Sequence, residues 1–246
     1  MKRWRLAACW LLAWLPAVLY AHGPSAHAGE PPRAPQQQVL QPLVARPVQG
    51  FVANAPGSYA LPAIQPAGDG WVLEGNWLPR RLSSYTHGAV TLLSFVYTYC
   101  SDPTGCPLAY ATFQDLRTRV VADPALSGRV RFVSLSFDPS NDTPDAMVRY
   151  GGEYAHSTQL PWHFLTTYST RFLRPILEAY GQDVEVELDA DGSATRVMTH
   201  LLKVFLLDEA GQVREIYSSA FLHPEVMFND IKTLVLEATR QRQARR

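Results

Sequence analysis

The stretch from Thr91 to Val120, TLLSFVYTYC-SDPTG-CPLAYATFQDLRTRV, constrains this chain more than any other. An apolar, β-branched and aromatic run (Leu92, Leu93, Phe95, Val96, Tyr97) ends at Cys100. A short loop with a Pro103-Thr104-Gly105 turn signal leads to Cys106. Pro107 then opens a segment with Ala109, Phe113, Leu116 and Val120 at helical spacing. The pattern predicts a buried strand, a tight loop and a helix, with a cysteine at each end of the loop. Proline suits the first helical position because its missing N–H would be unpaired there in any case. Cys106 therefore falls at a helix N-terminus, where the helix dipole favours a thiolate and lowers the thiol pKa.

The flanking segments give this unit its context. Trp71, Leu73 and Trp77 lie in a strand-like stretch broken by Gly75-Asn76. Val130–Phe137 alternates as a second strand and closes at Asp138-Pro139. Asp142-Thr143-Pro144-Asp145 has the chemistry of a helix start: an N-cap candidate, then Pro, then an acid in the first turn. Trp162–Leu165 reads as a third strand, and Thr170–Tyr180 as a helix ended by Gly181 with Pro175 inside it. Val184–Leu188 alternates and turns over Asp189–Ser193. Leu201–Leu207 and Val213–Tyr217 flank the turn Asp208–Gly211 as a hairpin. Pro224 opens a last helix with Met227, Ile231, Leu234, Val235 and Ala238 on one face. A strand–helix–strand–helix order followed by a hairpin and a helix predicts an α/β fold. With the cysteine pair between the first major strand and its helix, that fold is thioredoxin-like, a central mixed sheet flanked by helices.

The N-terminus reads as a targeting segment. Lys2, Arg3 and Arg5 precede an apolar run, Leu6–Ala21, and Ala26-His27-Ala28 fits a small-x-small cleavage site. Residues 1–28 are thus expected to be a signal peptide, or a membrane anchor if left uncleaved. Leu6-Ala7-Ala8-Cys9 resembles a lipoprotein box but precedes most of the apolar run. Residues 29–69, rich in Pro, Gln and Ala, read as a linker, 70–240 as the folded domain and 241–246 as a basic tail. Loss of the signal removes Cys9 and leaves Cys100 and Cys106 in an oxidising compartment, periplasmic or on the outer face of the inner membrane, where they can form a disulfide. With 22 Lys and Arg against 22 Asp and Glu, no charge excess points to a nucleic-acid partner. A monomer is expected.

Two neighbouring thiols can form a structural bridge, exchange disulfides or bind a soft metal. As a bridge, so short a loop adds modest stability. As an exchange pair, Cys106 would attack from the helix end and Cys100 would resolve. As a metal site the pair needs a third ligand. His22 and His27 fall in or beside the signal. His87, His156, His163 and His223 lie in turns or at element edges and read as structural or solvated. His200, in Met198-Thr199-His200 before an apolar strand, can reach the cysteine loop if its hairpin borders the central strand.

Four features together resemble the Sco/SenC family of copper chaperones for cytochrome oxidase assembly. They are Tyr97-Thr98-Tyr99-Cys100 followed by Cys106-Pro107 and a helix, the stretch Ser134–Pro144, similar to S-x-D-P-x-x-D-T-P, Met198-Thr199-His200, and the hairpin turn Asp208–Gly211 with the C-terminal helix. The likeness covers roughly Gly70 to Ala238. It implies copper, Cu(I) or Cu(II), held by Cys100, Cys106 and His200. It also implies delivery of copper to the binuclear site of cytochrome c oxidase subunit II, or reduction of that site's cysteines, or service to another exported copper or thiol protein. Such a metallochaperone is not an enzyme. The alternatives are a periplasmic thiol–disulfide oxidoreductase using the same cysteines and an interaction domain with an inert disulfide. The family motif is C-x3-C-P, whereas this chain has C-x5-C-P. Two extra residues change the relative orientation of the sulfurs. Asp102, inside the loop, and Asp138, at the matching family position, are candidate supports around the metal, with turn and capping roles as the plainer reading.

Overall fold

In the computed structural model of the protein, residues 50 and 52–246 are described. The expected signal segment, Cys9, His22, His27 and the linker before residue 50 lie outside the described residues. The elements run in the order β1 Gln65–Pro66, β2 Trp71–Glu74, β3 Pro79–Arg81, α1 Ser83–Thr86, β4 Val90–Val96, α2 Cys106–Ala122, β5 Val130–Ser136, α3 Pro144–Gly151, β6 Trp162–Thr166, α4 Thr170–Tyr180, β7 Val184–Leu188, β8 Ala194–His200, β9 Lys203–Leu207, β10 Gln212–Ser218 and α5 Pro224–Ala244.

The main sheet has the order β1-β10-β9-β4-β5-β6-β2-β3. β4, β5 and β6 are parallel neighbours, and β9 joins β4 antiparallel. This is the mixed, helix-flanked sheet of a thioredoxin-like fold. All seven residues of β4 are buried, as expected of a central strand with layers on both faces. Its two polar residues find local partners. Thr91 Oγ1 donates to the Ala89 carbonyl at 3.0 Å. Ser94 Oγ lies 3.5 Å from Ser134 Oγ, which also accepts from Trp162 Nε1 at 3.1 Å. Helix α2 buries Ala109, Phe113, Leu116 and Val120, the stripe legible in the sequence. The Phe113 ring packs 5.0 Å from that of Phe132 on β5.

Helix α3 comes so close to the sheet that its last residue must be glycine. A Cβ at Gly151 would lie 2.5 Å from the Phe164 ring of β6. Gly151→Ala is expected to destabilise the domain by about 1–3 kcal/mol, the usual cost of overpacking. A urea denaturation curve with a lowered midpoint and unchanged slope is the check. Helix α4 ends at Gly181, whose left-handed φ of +58° closes the last turn.

Three boundaries differ from the sequence expectation. Residues 54–67 are packed on the domain rather than belonging to a linker that runs to residue 69. Leu61 is buried, β1 pairs with β10, and the Tyr59 hydroxyl donates to Asp230 of α5, which also accepts from Tyr217 at 2.6 Å. These long-range anchors dock a proline-rich segment whose composition carries no period. The basic tail is not separate, because α5 continues to Ala244. The third difference is β8, which the sequence reading left unassigned between the Asp189–Ser193 turn and His200.

Candidate metal centre

The site forms where β4 ends. β4 lies between β5 and β9, so the loop after it opens beside the chain segments that leave β5 and enter β9. Three side chains from distant parts of the sequence meet there. Cys100 belongs to the loop, Cys106 is the first residue of α2, and His200 is the last of β8. Their ligand atoms all lie within 4.8 Å of one another, and among the described residues this is the one group of three or more such side chains that could hold a metal ion. Cys106 Sγ is 3.9 Å from His200 Nε2. Ligand atoms on a common first-row ion sit about 2.0–2.3 Å from it, so opposed ligands are at most about 4.6 Å apart. The thiols and imidazole therefore need only a small contraction to share an ion.

Each ligand is held by its surroundings. The His200 ring stands edge-on to Phe137, with centroids 4.6 Å apart, and to Tyr97 at 6.3 Å. Its Nδ1 is buried without a hydrogen-bond partner, whereas Nε2 faces the sulfur. Tyr97 accepts a 3.5 Å hydrogen bond from the Met198 amide, joining the end of β4 to β8. Burial, foremost, raises its phenol to about 12 and keeps it neutral. Gly105, which precedes Cys106, lies against the first sulfur: a Cβ there would stand in ordinary contact, 3.4 Å, with Cys100 Sγ.

The two thiols are unequal, and in the opposite sense to the helix-end expectation for Cys106. Both are free, but Cys106 is buried and Cys100 half-buried. The Cys106 thiol donates to Cys100, the largest of the effects that lower the Cys100 pKa. His200 and the backbone N–H groups of Cys106 and Asp102 lower it further, against the opposing effect of burial. Cys106 is pushed up, first by donating to Cys100 and then by burial. The N–H of Cys106 at the helix N-terminus favours a thiolate on either sulfur, and burial weighs against a charge on Cys106. The direction of the two shifts puts the negative charge on Cys100 and the proton on Cys106, the other order from the one favoured in the sequence.

Asp102 and Asp138 serve as turn residues. Asp102 Oδ1 accepts from Thr104 N at 2.9 Å and Thr104 Oγ1 at 2.8 Å, stiffening the extended loop. Asp138 is buried, and its carboxylate accepts twice from Asn141 Nδ2. The sequence reading placed Asp142 in a helix start and gave it no further role. Thr143, the residue before Pro144, caps α3, accepting from Ala146 N at 3.2 Å. Asp142 is buried and turned the other way. It accepts from Thr98 N at 3.0 Å, from the Thr98 hydroxyl and from Ser136 Oγ at 2.6 Å. Burial, which outweighs those hydroxyl donors, raises its carboxyl pKa. The only sequence signal for this role was a second acid beside a threonine that could cap alone.

Asp142 therefore ties the start of the cysteine loop to the end of β5. Asp142→Ala should cost about 1–3 kcal/mol, because buried donors at Thr98 and Ser136 lose their acceptor. It should also accelerate amide hydrogen exchange in residues 97–100. A lowered melting temperature with unchanged exchange in that loop would contradict the tie.

The SCO1/SenC family model matches residues 80–236 of the chain. A SCO1 protein homolog of Bacillus subtilis (strain 168) is 37% identical over 82 residues, covering 33% of this chain and 39% of that protein. The matching segment thus spans about two fifths of that curated relative. Among solved structures, apo Sco1 from Thermus thermophilus superimposes with a TM-score of 0.56 at 24% identity, covering 75% of this chain and 99% of that one. Arabidopsis thaliana ScoI with copper bound gives a TM-score of 0.57 at 17% identity, covering 70% and 98%. At these identities the structural likeness speaks for the fold.

Proposed function

Since the chain belongs to the SCO1/SenC family, we propose that it binds copper through Cys100, Cys106 and His200 and passes it to a partner protein. The observation that carries this reading is the convergence of two sulfurs and one imidazole nitrogen within 4.8 Å at the edge of the sheet. The donor set fits the metal. Thiolates are soft and suit Cu(I), while the imidazole helps to hold Cu(II). The buried Phe137 and Tyr97 rings against His200 keep that ligand oriented. Cys100, half-buried on an open loop, is the ligand a partner reaches first.

In this reading the protein is exported through residues 1–28 and works in the periplasm or at the outer face of the inner membrane. Among the described residues no helix is long and apolar enough to cross a membrane. The partner is the binuclear copper site of cytochrome c oxidase subunit II, or another exported copper or thiol protein.

Anaerobic titration of the reduced protein with Cu(I) and with Cu(II), followed by thiolate-to-copper absorption, tests the binding. One tightly held equivalent is expected. Uptake no greater than that of a cysteine-free variant would remove the reading.

A second reading, thiol–disulfide exchange, draws on the unequal thiols. A half-exposed thiolate at Cys100 beside a protonated Cys106 is the arrangement that attack and resolution require. His200 separates the two readings, because exchange does not require its nitrogen as a ligand.

A further inference from the structure

The hairpin β7–β8 leaves the domain at the metal centre. It forms its own two-stranded sheet, so each strand keeps an outer edge of N–H and C=O groups outside that ladder. Its root is fixed, since Gln182 is buried and its side-chain amide donates to the Leu201 carbonyl at 3.1 Å, across the base of the hairpin. The register sets Val184 opposite His200, Val186 opposite Met198 and Leu188 opposite Ala194. Side chains alternate between faces along a strand, so these residues share one face with the ligand His200. Between the Val186 and Leu188 pairings the register shifts, and within that irregular stretch of β8 the Arg196 guanidinium lies 4.3 Å over the ring of Tyr99 from the cysteine loop. An apolar strip therefore starts at His200 and grows more exposed outward. Val186 is 43% and Leu188 63% exposed, with Tyr99 at 55% and Leu201 at 63% beside them.

The charge on the hairpin is as one-sided as that of the whole chain is balanced. Asp183, Glu185, Glu187, Asp189 and Asp191 are all exposed, and Arg196 is the one cation between residues 183 and 200. Resting on the copper-transfer reading, we propose that this hairpin is the docking surface for the partner that receives copper. Its occupant is an extended segment with Lys or Arg residues flanking its metal-binding thiols. Free strand edges accept such a segment by strand addition, and the exposed Val186 and Leu188 give its apolar side chains a seat. The carboxylates attract a basic segment before contact and repel an acidic one. They also disfavour a second copy of this chain, whose hairpin carries the same charge.

Docking there brings the incoming thiols beside His200 and Cys100. In the transfer each bond from an incoming thiolate to copper forms as one from Cys100, Cys106 or His200 breaks. No electron changes hands, and each proton of an incoming thiol passes to the displaced thiolate or to solvent.

Two synthetic dithiol peptides with the same core, one flanked by lysines and one by glutamates, test the proposal on the full chain. Versions with serine in place of cysteine are used first, so that binding is read without copper by fluorescence anisotropy. The lysine peptide should bind at least about tenfold more tightly than the glutamate peptide at low salt. The difference should shrink to within about twofold at 1 M salt, where charges are screened beyond about 3 Å. It should vanish in the Glu185→Lys/Glu187→Lys variant, whereas Val186→Ser/Leu188→Ser should weaken lysine-peptide binding at every salt concentration. Equal binding of the two peptides, or an undiminished preference in the charge-reversed variant, overturns the docking surface. Copper loading is measured separately on the same variants and should match the wild type. If the wild type takes up no copper but prefers the lysine peptide, the metal reading falls and the docking surface stands. Copper uptake without that preference is the converse result.

Discussion

Replacing any one of Cys100, Cys106 or His200 by Ala weakens copper binding, but the three losses should differ in kind. Both sulfurs and the imidazole nitrogen lie within 4.8 Å, so under the proposed function each variant removes one of three ligands rather than a neighbour. Removing a partner that merely orients a ligand costs about 10–100-fold in affinity, so each cysteine variant should lose at least about 100-fold. His200→Ala should be selective. Two thiolates still satisfy Cu(I), which accepts soft ligands, whereas Cu(II) loses its only imidazole. The expected result is a near-complete loss of Cu(II) uptake with a smaller loss for Cu(I), and a shift of the thiolate-to-copper absorption. The His200 ring also fills space against Phe137, so His200→Phe separates packing from ligation. It should melt closer to the wild type than His200→Ala while binding Cu(II) no better. Cu(II) binding by His200→Phe equal to that of the wild type would show that the imidazole is not a ligand.

The site was legible where its chemistry coincided with strong periodicity. β4 is a continuous apolar run, and α2 carries its stripe directly after Pro107, so the two cysteines could be placed at the ends of a loop from local pattern. His200 was harder, because its closeness depends on β9 pairing with β4, which is a matter of sheet order. The strand that ends at His200 was not visible. β8 lies in a two-stranded hairpin with no fully buried residue, only the half-buried Thr195, Met198 and His200, so burial imposes a weak pattern on it. The role of Asp142 was hidden for a related reason. Asp and Thr are equally good caps, and only the fold decides that Thr143 caps α3 while Asp142 reaches back to Thr98. The docked segment around Tyr59 and Leu61 depends on two long-range contacts within a proline-rich composition.

The order of thiol reactivity is where a local rule and the environment of the two sulfurs point to different residues, and it leads to a prediction with a large effect. A cysteine at a helix N-terminus is ordinarily the activated one. Here that cysteine is 1% exposed, while Cys100 is half-buried and its pKa is lowered first by the Cys106 thiol and then by His200. One negative charge shared by two adjacent sulfurs settles on the more exposed, and burial then penalises a second charge on Cys106. At neutral pH, limiting iodoacetamide should therefore modify Cys100 at least about 100-fold faster than Cys106, since only the thiolate reacts and only Cys100 is within reach. Because the Cys100 pKa is lowered, its labelling should stay fast as pH falls well below the ordinary thiol value of about 8.5. Labelling of Cys106 should stay slow above that value, because its pKa is raised. Removing the main donor reverses the first effect. In Cys106→Ala the labelling midpoint of Cys100 should move up towards the ordinary value, and in Cys106→Ser, whose hydroxyl still donates, it should move less. Peptide mapping after timed alkylation across a pH series reads all of these outcomes. Faster modification of Cys106 at neutral pH, or a Cys100 midpoint unmoved in Cys106→Ala, would mean that the charge does not rest on Cys100 through a proton held by Cys106.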